Sequence, residues 1–143
     1  MKAALAAGLA LVIVACGTAI VPREPRVVDL GGGLALEIVD ETGELMDARA
    51  VTGEAIGGVE MPLEGPISAQ AGSTLNETRI VWISTVCETG ARLTISNPNK
   101  VTITPGPRGD CGDMGRVRVV DLVFRGPVNA SALQVELMGD GKG

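Results

Sequence analysis

An all-β fold is what this sequence predicts, as a small β-sandwich or a partly open barrel. Three observations carry that expectation. About eight short runs rich in Val, Ile and Leu follow Arg26 at close intervals. Turn formers separate them, drawn from 20 glycines and 8 prolines. No stretch after residue 26 keeps a 3.6-residue apolar period, so helices have no sustained amphipathic face to bury.

The elements follow in chain order. "RVVDL" (26–30) and "LALEIV" (34–39) flank Gly31-Gly32-Gly33, and "LMDARAV" (45–51) follows the turn at 41–44. The stretch "ELMDARAVTGEAI" is compatible with a short helix as well as a strand, so 45–56 stays open between the two. "TRIVWISTV" (78–86) is apolar on both faces at "IVWIS", which predicts a central strand. In "RLTISNPNKVTIT", placing Ile95 opposite Val101 sets Leu93 opposite Ile103. All four then share one face, and Asn97-Pro98-Asn99 forms the loop. "RVRVVDLVF" (116–124) changes phase, with Val117 and Val119 on one face and Val120, Leu122 and Phe124 on the other, and predicts a bulge near Val119-Val120. "ALQVEL" (132–137) closes the series with Leu133, Val135 and Leu137 inward.

Composition sets limits on chemistry. The 143 residues suffice for one domain. With one Trp, one Phe and no Tyr, the core must be aliphatic around Trp82 and Phe124. Histidine is absent, which excludes His triads, imidazole general bases and His-ligated metal sites. A net charge of −5 without a basic cluster argues against nucleic acid and against anionic lipid held by surface charge. No cofactor is expected.

The N-terminus is organised differently. Met1-Lys2 precedes an apolar run from Ala3 to Ala15, followed by Ile13-Val14-Ala15-Cys16-Gly17 at its end. This resembles the lipobox of bacterial lipoproteins. The resemblance implies cleavage before Cys16, a diacylglyceryl group on its thiol and acylation, palmitate included, of the new amine. Residues 1–15 are then a signal peptide, 16–26 the lipidated Cys and an extended tether, 27–138 a single β domain with its hairpin core at 78–138, and 139–143 a disordered tail. The membrane would be reached through lipid, on the extracytoplasmic side of the cytoplasmic or outer membrane. An ordinary signal peptide cut after Ala15 and an uncleaved anchor over 3–21 are the competing readings. Assigning one of three cysteines to lipid leaves Cys87 and Cys111 to pair in an oxidising compartment. Extending the hairpin register brings Cys87 near residue 109, where a disulfide closing a loop of roughly 25 residues stabilises by ~3 kcal/mol.

"VVDLVFRGPVNASALQVEL" resembles the last strands of small bacterial immunoglobulin-like domains, through Phe124, Pro127, Val128, Ala130, Ser131 and Val135. The two later cysteines look like those of envelope lipoproteins with a C-terminal β domain. These are structural motifs and imply an immunoglobulin-like sandwich but no activity.

Candidate sites are few. Asp110 and Asp113 surround Cys111, and Glu88 falls close across the expected disulfide, a trio able to hold calcium or to act as a glycosidase pair. The spacing matches no calcium loop, and acidic loop residues are ordinarily just solvated. "RGD" (108–110), "NET" (76–78), "NAS" (129–131) and "DLGGGL" are short chance matches. Ser73, Ser84 and Ser131 lack a His, and Lys100 and Lys142 are poorly placed to serve a Ser–Lys pair. The expectation is a lipid-anchored, non-catalytic envelope module that meets a protein or polysaccharide partner. The alternative is a calcium-dependent binder or hydrolase built on Asp110, Asp113 and Glu88.

Overall fold

Alternation of apolar residues with no helical period yields nine strands in two sheets in the computed structural model, which describes residues 24–61, 65–107 and 114–139. The strands are β1 (Arg26–Asp29), β2 (Ala35–Asp40), β3 (Leu45–Ala50), β4 (Ile67–Ala71), β5 (Glu77–Thr85), β6 (Gly90–Ser96), β7 (Lys100–Pro105), β8 (Gly115–Phe124) and β9 (Gln134–Leu137). One sheet runs β1-β2-β6-β7-β9 and the other β3-β8-β5-β4. The sheets do not close on each other, so the architecture is a sandwich and the barrel alternative is corrected.

The hairpin register is the expected one. Ile95 lies opposite Val101 and Leu93 opposite Ile103, and all four are buried. They join Leu36 and Ile38 of β2 as the inner face of the five-stranded sheet. Leu45, Ile67, Ile80, Trp82, Val120, Leu122 and Phe124 supply the inner face of the other. The five-stranded sheet contains two parallel pairs, β2 with β6 and β7 with β9. A parallel pair needs a long crossover, and between β2 and β6 the chain spends it building β3, β4 and β5 of the opposite sheet. The central position expected for "IVWIS" holds, since β5 has β4 on one side and β8 on the other.

Four local readings are corrected. The strand expected at 45–51 is β3, which ends at Ala50, and the helix alternative over 45–56 is corrected, since only a 3-10 turn at Gly53–Gly58 follows. β9 begins at Gln134, because Ala130–Ala132 form a 3-10 turn capped by Asn129. β4, "ISAQA", went unread because Ser and Ala give its alternation almost no amplitude. The bulge expected at Val119-Val120 is absent. β5 and β8 pair without a break from Glu77 opposite Val123 to Thr85 opposite Gly115, and the register shift falls between Leu45 and Asp47 of β3.

The reason for the unbroken register is that β8 is buried on both faces. Val119 and Val120 are each 0% exposed. β3 and β4 are opposite edges of their sheet, so the chain between them must traverse it. On the outer side, Gln70 Nε2 donates to the Glu60 carbonyl at 2.6 Å. On that side Arg79 forks onto Asp121, Nε to Oδ1 at 2.7 Å and Nη2 to Oδ2 at 2.9 Å. A bidentate pair of this kind fixes strand register as well as adding charge-assisted bonds.

Asp40 ties the passage from one sheet to the other. Its Oδ1 accepts from Thr42 N and Oγ1 at 2.9 and 2.6 Å, and its Oδ2 from Leu45 N at 2.9 Å. Burial pushes this carboxyl up, but the bonds from Thr42, Leu45 and Gly43 outweigh it and hold it below the ordinary carboxylate value. A depressed native pKa means stability that is complete above the unfolded value near pH 4 and is lost as pH falls through the native one. Asp40→Asn is therefore expected to flatten the acid limb of a Tm-against-pH curve below about pH 4. An unchanged acid limb would count against this role.

Candidate functional site

Strand direction gathers most of the unusual polar groups at one end of the sandwich. β5 finishes there at Thr85, β6 starts at Gly90, β7 finishes at Pro105 and β8 starts at Gly115. Arg26, where the tether would join, lies at the opposite end, donating to the carbonyls of Met46 and Leu45 at 2.8 and 3.2 Å.

The sequence-predicted residues are only partly brought together. Cys87 lies in the turn after β5 and carries no free thiol. Glu88 follows it and faces inward, 4% exposed, with Oε1 accepting from Gly106 N at 3.1 Å. That close approach suits only glycine, since a Cβ at Gly106 would overlap the Gly90 carbonyl. Cys16, Asp110, Cys111 and Asp113 lie outside the described residues, as do the leader, the "RGD" tripeptide and 140–143. Among the described residues no three His, Cys, Asp or Glu side chains converge as a metal site.

A cavity of about 290 Å³ opens here, bordered by Trp82, Ser84, Thr85, Glu88, Gly106 and Met138. Its serine is not set up as a nucleophile. Ser84 Oγ accepts from Arg118 Nε at 2.8 Å, and a guanidinium that donates cannot take the serine proton. Ser73 and Ser131, the other serines considered as nucleophiles, are occupied by turns. Ser73 Oγ donates to Glu77 Oε1 at 3.1 Å, closing the β4–β5 hairpin, and Ser131 Oγ donates to Asn129 Oδ1 at 2.6 Å within the 3-10 cap.

Arg118 is the residue that sequence reading missed. Its register partner is Trp82, so it sits on the inner face of β8, 2% exposed. Nε meets Ser84, and Nη1 donates to the Gly31 carbonyl at 3.0 Å. Nη2 is buried and has no partner, as is Thr85 Oγ1. Burial lowers the guanidinium's pKa, the neighbouring Arg116 charge lowers it further, and Glu88 opposes both. The signal was available. Strict alternation through "RVRVVDLVF" puts Arg118 in phase with Val120, Leu122 and Phe124, and the bulge introduced to re-phase the strand concealed it.

Arg116 lies one repeat nearer the start of β8, in a cleft with Arg118, Gly31, Gly32, Thr52 and Gly53. The fit is close at Gly32, φ +60°, where a Cβ would overlap Arg116 Nη1. Compared with known protein families, curated proteins and solved structures, the chain gives no match.

Proposed function

We propose that the protein is a lipid-anchored, extracytoplasmic β-sandwich of a bacterial envelope that acts by binding rather than by catalysis. The observation that carries this reading is the sequence at the leader's end, where an apolar run stops at Ile13-Val14-Ala15-Cys16 ahead of a β domain. Among the described residues no helix is long and apolar enough to cross a membrane. The tether from Cys16 to Glu24 reaches about 25–30 Å when extended. It joins β1 at the end opposite Cys87, so the polar end of the sandwich would face away from the bilayer.

A Cys87–Cys111 disulfide belongs to the same proposal, through the pairing of the two cysteines that lipid leaves over. The immunoglobulin-like form of the sandwich rests on two-layer packing and on the Phe124-to-Val135 pattern. The two parallel strand pairs depart from the antiparallel sheets of that fold. The calcium reading retains Asp110 and Asp113, while Glu88 commits one oxygen to Gly106. Binding without metal is the better supported of the two.

Mass spectrometry of the protein from bacterial membranes tests the anchor. The expected N-terminal peptide begins at Cys16 and carries acyl mass, and Cys16→Ser moves the protein to the soluble fraction. A peptide beginning at Met1, or an unacylated Cys16, overturns the reading. Non-reducing peptide mapping is expected to recover Cys87 and Cys111 in one linked species.

A further inference from the structure

The geometry points to a binding site for a small oxyanion, a phosphoryl or carboxylate group, in the cleft where Arg116 and Arg118 meet the Gly31–Gly33 turn. The cleft measures about 530 Å³ and opens to solvent. Among the described residues its border includes Leu30, Gly31, Thr52, Ile56 and both arginines, and no Asp or Glu. That is unusual in a chain with formal charge −5. Elsewhere among the described residues, Arg49, Arg79, Arg92 and Lys100 pair with Asp47, Asp121, Glu37 and Glu136, while Arg26 and Arg125 donate to backbone carbonyls. Arg116 makes no ion pair or hydrogen bond with any described residue.

A second observation is independent of this charge balance. Arg118 is more than nine-tenths buried and still has an unpartnered Nη2 donor. A buried donor without an acceptor is rare in folded proteins, and a like charge beside it adds to the cost. An oxyanion offers several lone pairs to two guanidinium groups at once, and Arg is the side chain best matched to that geometry. Arg116 Nη1 lies against Gly32, where a Cβ would overlap it and where φ +60° itself favours glycine. The inference stands apart from the lipoprotein reading, because every residue it uses belongs to the folded domain.

The test titrates the purified full chain with inorganic phosphate, and separately with acetate, at constant ionic strength. Binding is read by calorimetry and by the shift in Tm. Saturable binding of at least one of the two is expected, and which one binds distinguishes a phosphoryl from a carboxylate ligand. Arg116→Gln is expected to weaken it about tenfold or more, as loss of a charge-assisted contact implies. Arg116 is exposed, so this variant keeps the fold. Arg49→Gln removes the same charge on the outer face and is expected to leave affinity unchanged. Absence of saturation by either anion up to about 50 mM, a range covering weak millimolar sites, overturns the inference. So does equal weakening in the two variants, which would reduce the effect to net charge.

Discussion

Trp82→Ala is expected to cost about 3–5 kcal/mol, the range for deleting a fully buried large aromatic. Small domains carry about 5–15 kcal/mol in total, so the variant should lose roughly a third to a half of the stability of a domain in the middle of that range. Trp82 is 1% exposed and stands between Ile67 on β4 and Arg118 on β8 in the cross-strand row. It is the chain's single Trp and, with Phe124, one of its two aromatic residues. The core cluster around it is largely aliphatic and carried on sheet strands, which limits how far the void can close. Leu75→Ala provides the contrast, because Leu75 is 79% exposed and its loss should stay within about 0.5 kcal/mol. Urea denaturation followed by far-UV circular dichroism measures both. A Trp82→Ala cost below about 1.5 kcal/mol would contradict the burial described for this ring.

Where side-chain alternation was strong, the fold could be read directly from residues. Leu93, Ile95, Val101 and Ile103 fixed a hairpin register that the structure reproduces pair for pair. Reading failed where amplitude was low or burial two-sided. "ISAQA" has only Ile67 as a large apolar residue, and its strand is held by β5 rather than by its own pattern. In β8, burial of Val119 on one face and Val120 on the other imitates a phase slip. No periodicity argument separates a bulge from a strand covered on both sides. Parallel pairing of β2 with β6 was also beyond reach, because it depends on which sheet the intervening strands join.

The candidate site was less legible still, since it is an exception to the pattern that reveals the fold. An arginine in a core phase is read by default as a strand irregularity, because burying a charge is costly. The glycine triplet was visible as a turn. Its carbonyl partner, 87 residues along the chain, was not.

Arg118→Met is expected to leave the fold intact and to match or exceed the wild type in stability, by up to about 2 kcal/mol, while abolishing oxyanion binding. Replacing a buried charge with an apolar side chain of similar length removes a desolvation cost that native contacts repay only partly. The bonds lost leave nothing stranded. The Gly31 carbonyl also accepts from Leu34 N at 3.2 Å, and Ser84 Oγ still donates to the Thr85 carbonyl at 3.3 Å. Ser84→Ala should behave in the opposite sense, costing about 1–3 kcal/mol, because it strands Arg118 Nε beside the already unpartnered Nη2. In the Arg118→Met background the same serine change should cost almost nothing, so the double-mutant cycle isolates the Ser84–Arg118 coupling. Destabilisation by Arg118→Met beyond about 2 kcal/mol would show that the guanidinium is needed for the fold. A folded variant that still binds phosphate or acetate would remove Arg118 from the site. If both expectations hold, this end of the sandwich maintains a cation at the expense of stability, the signature of a group kept for binding rather than for packing.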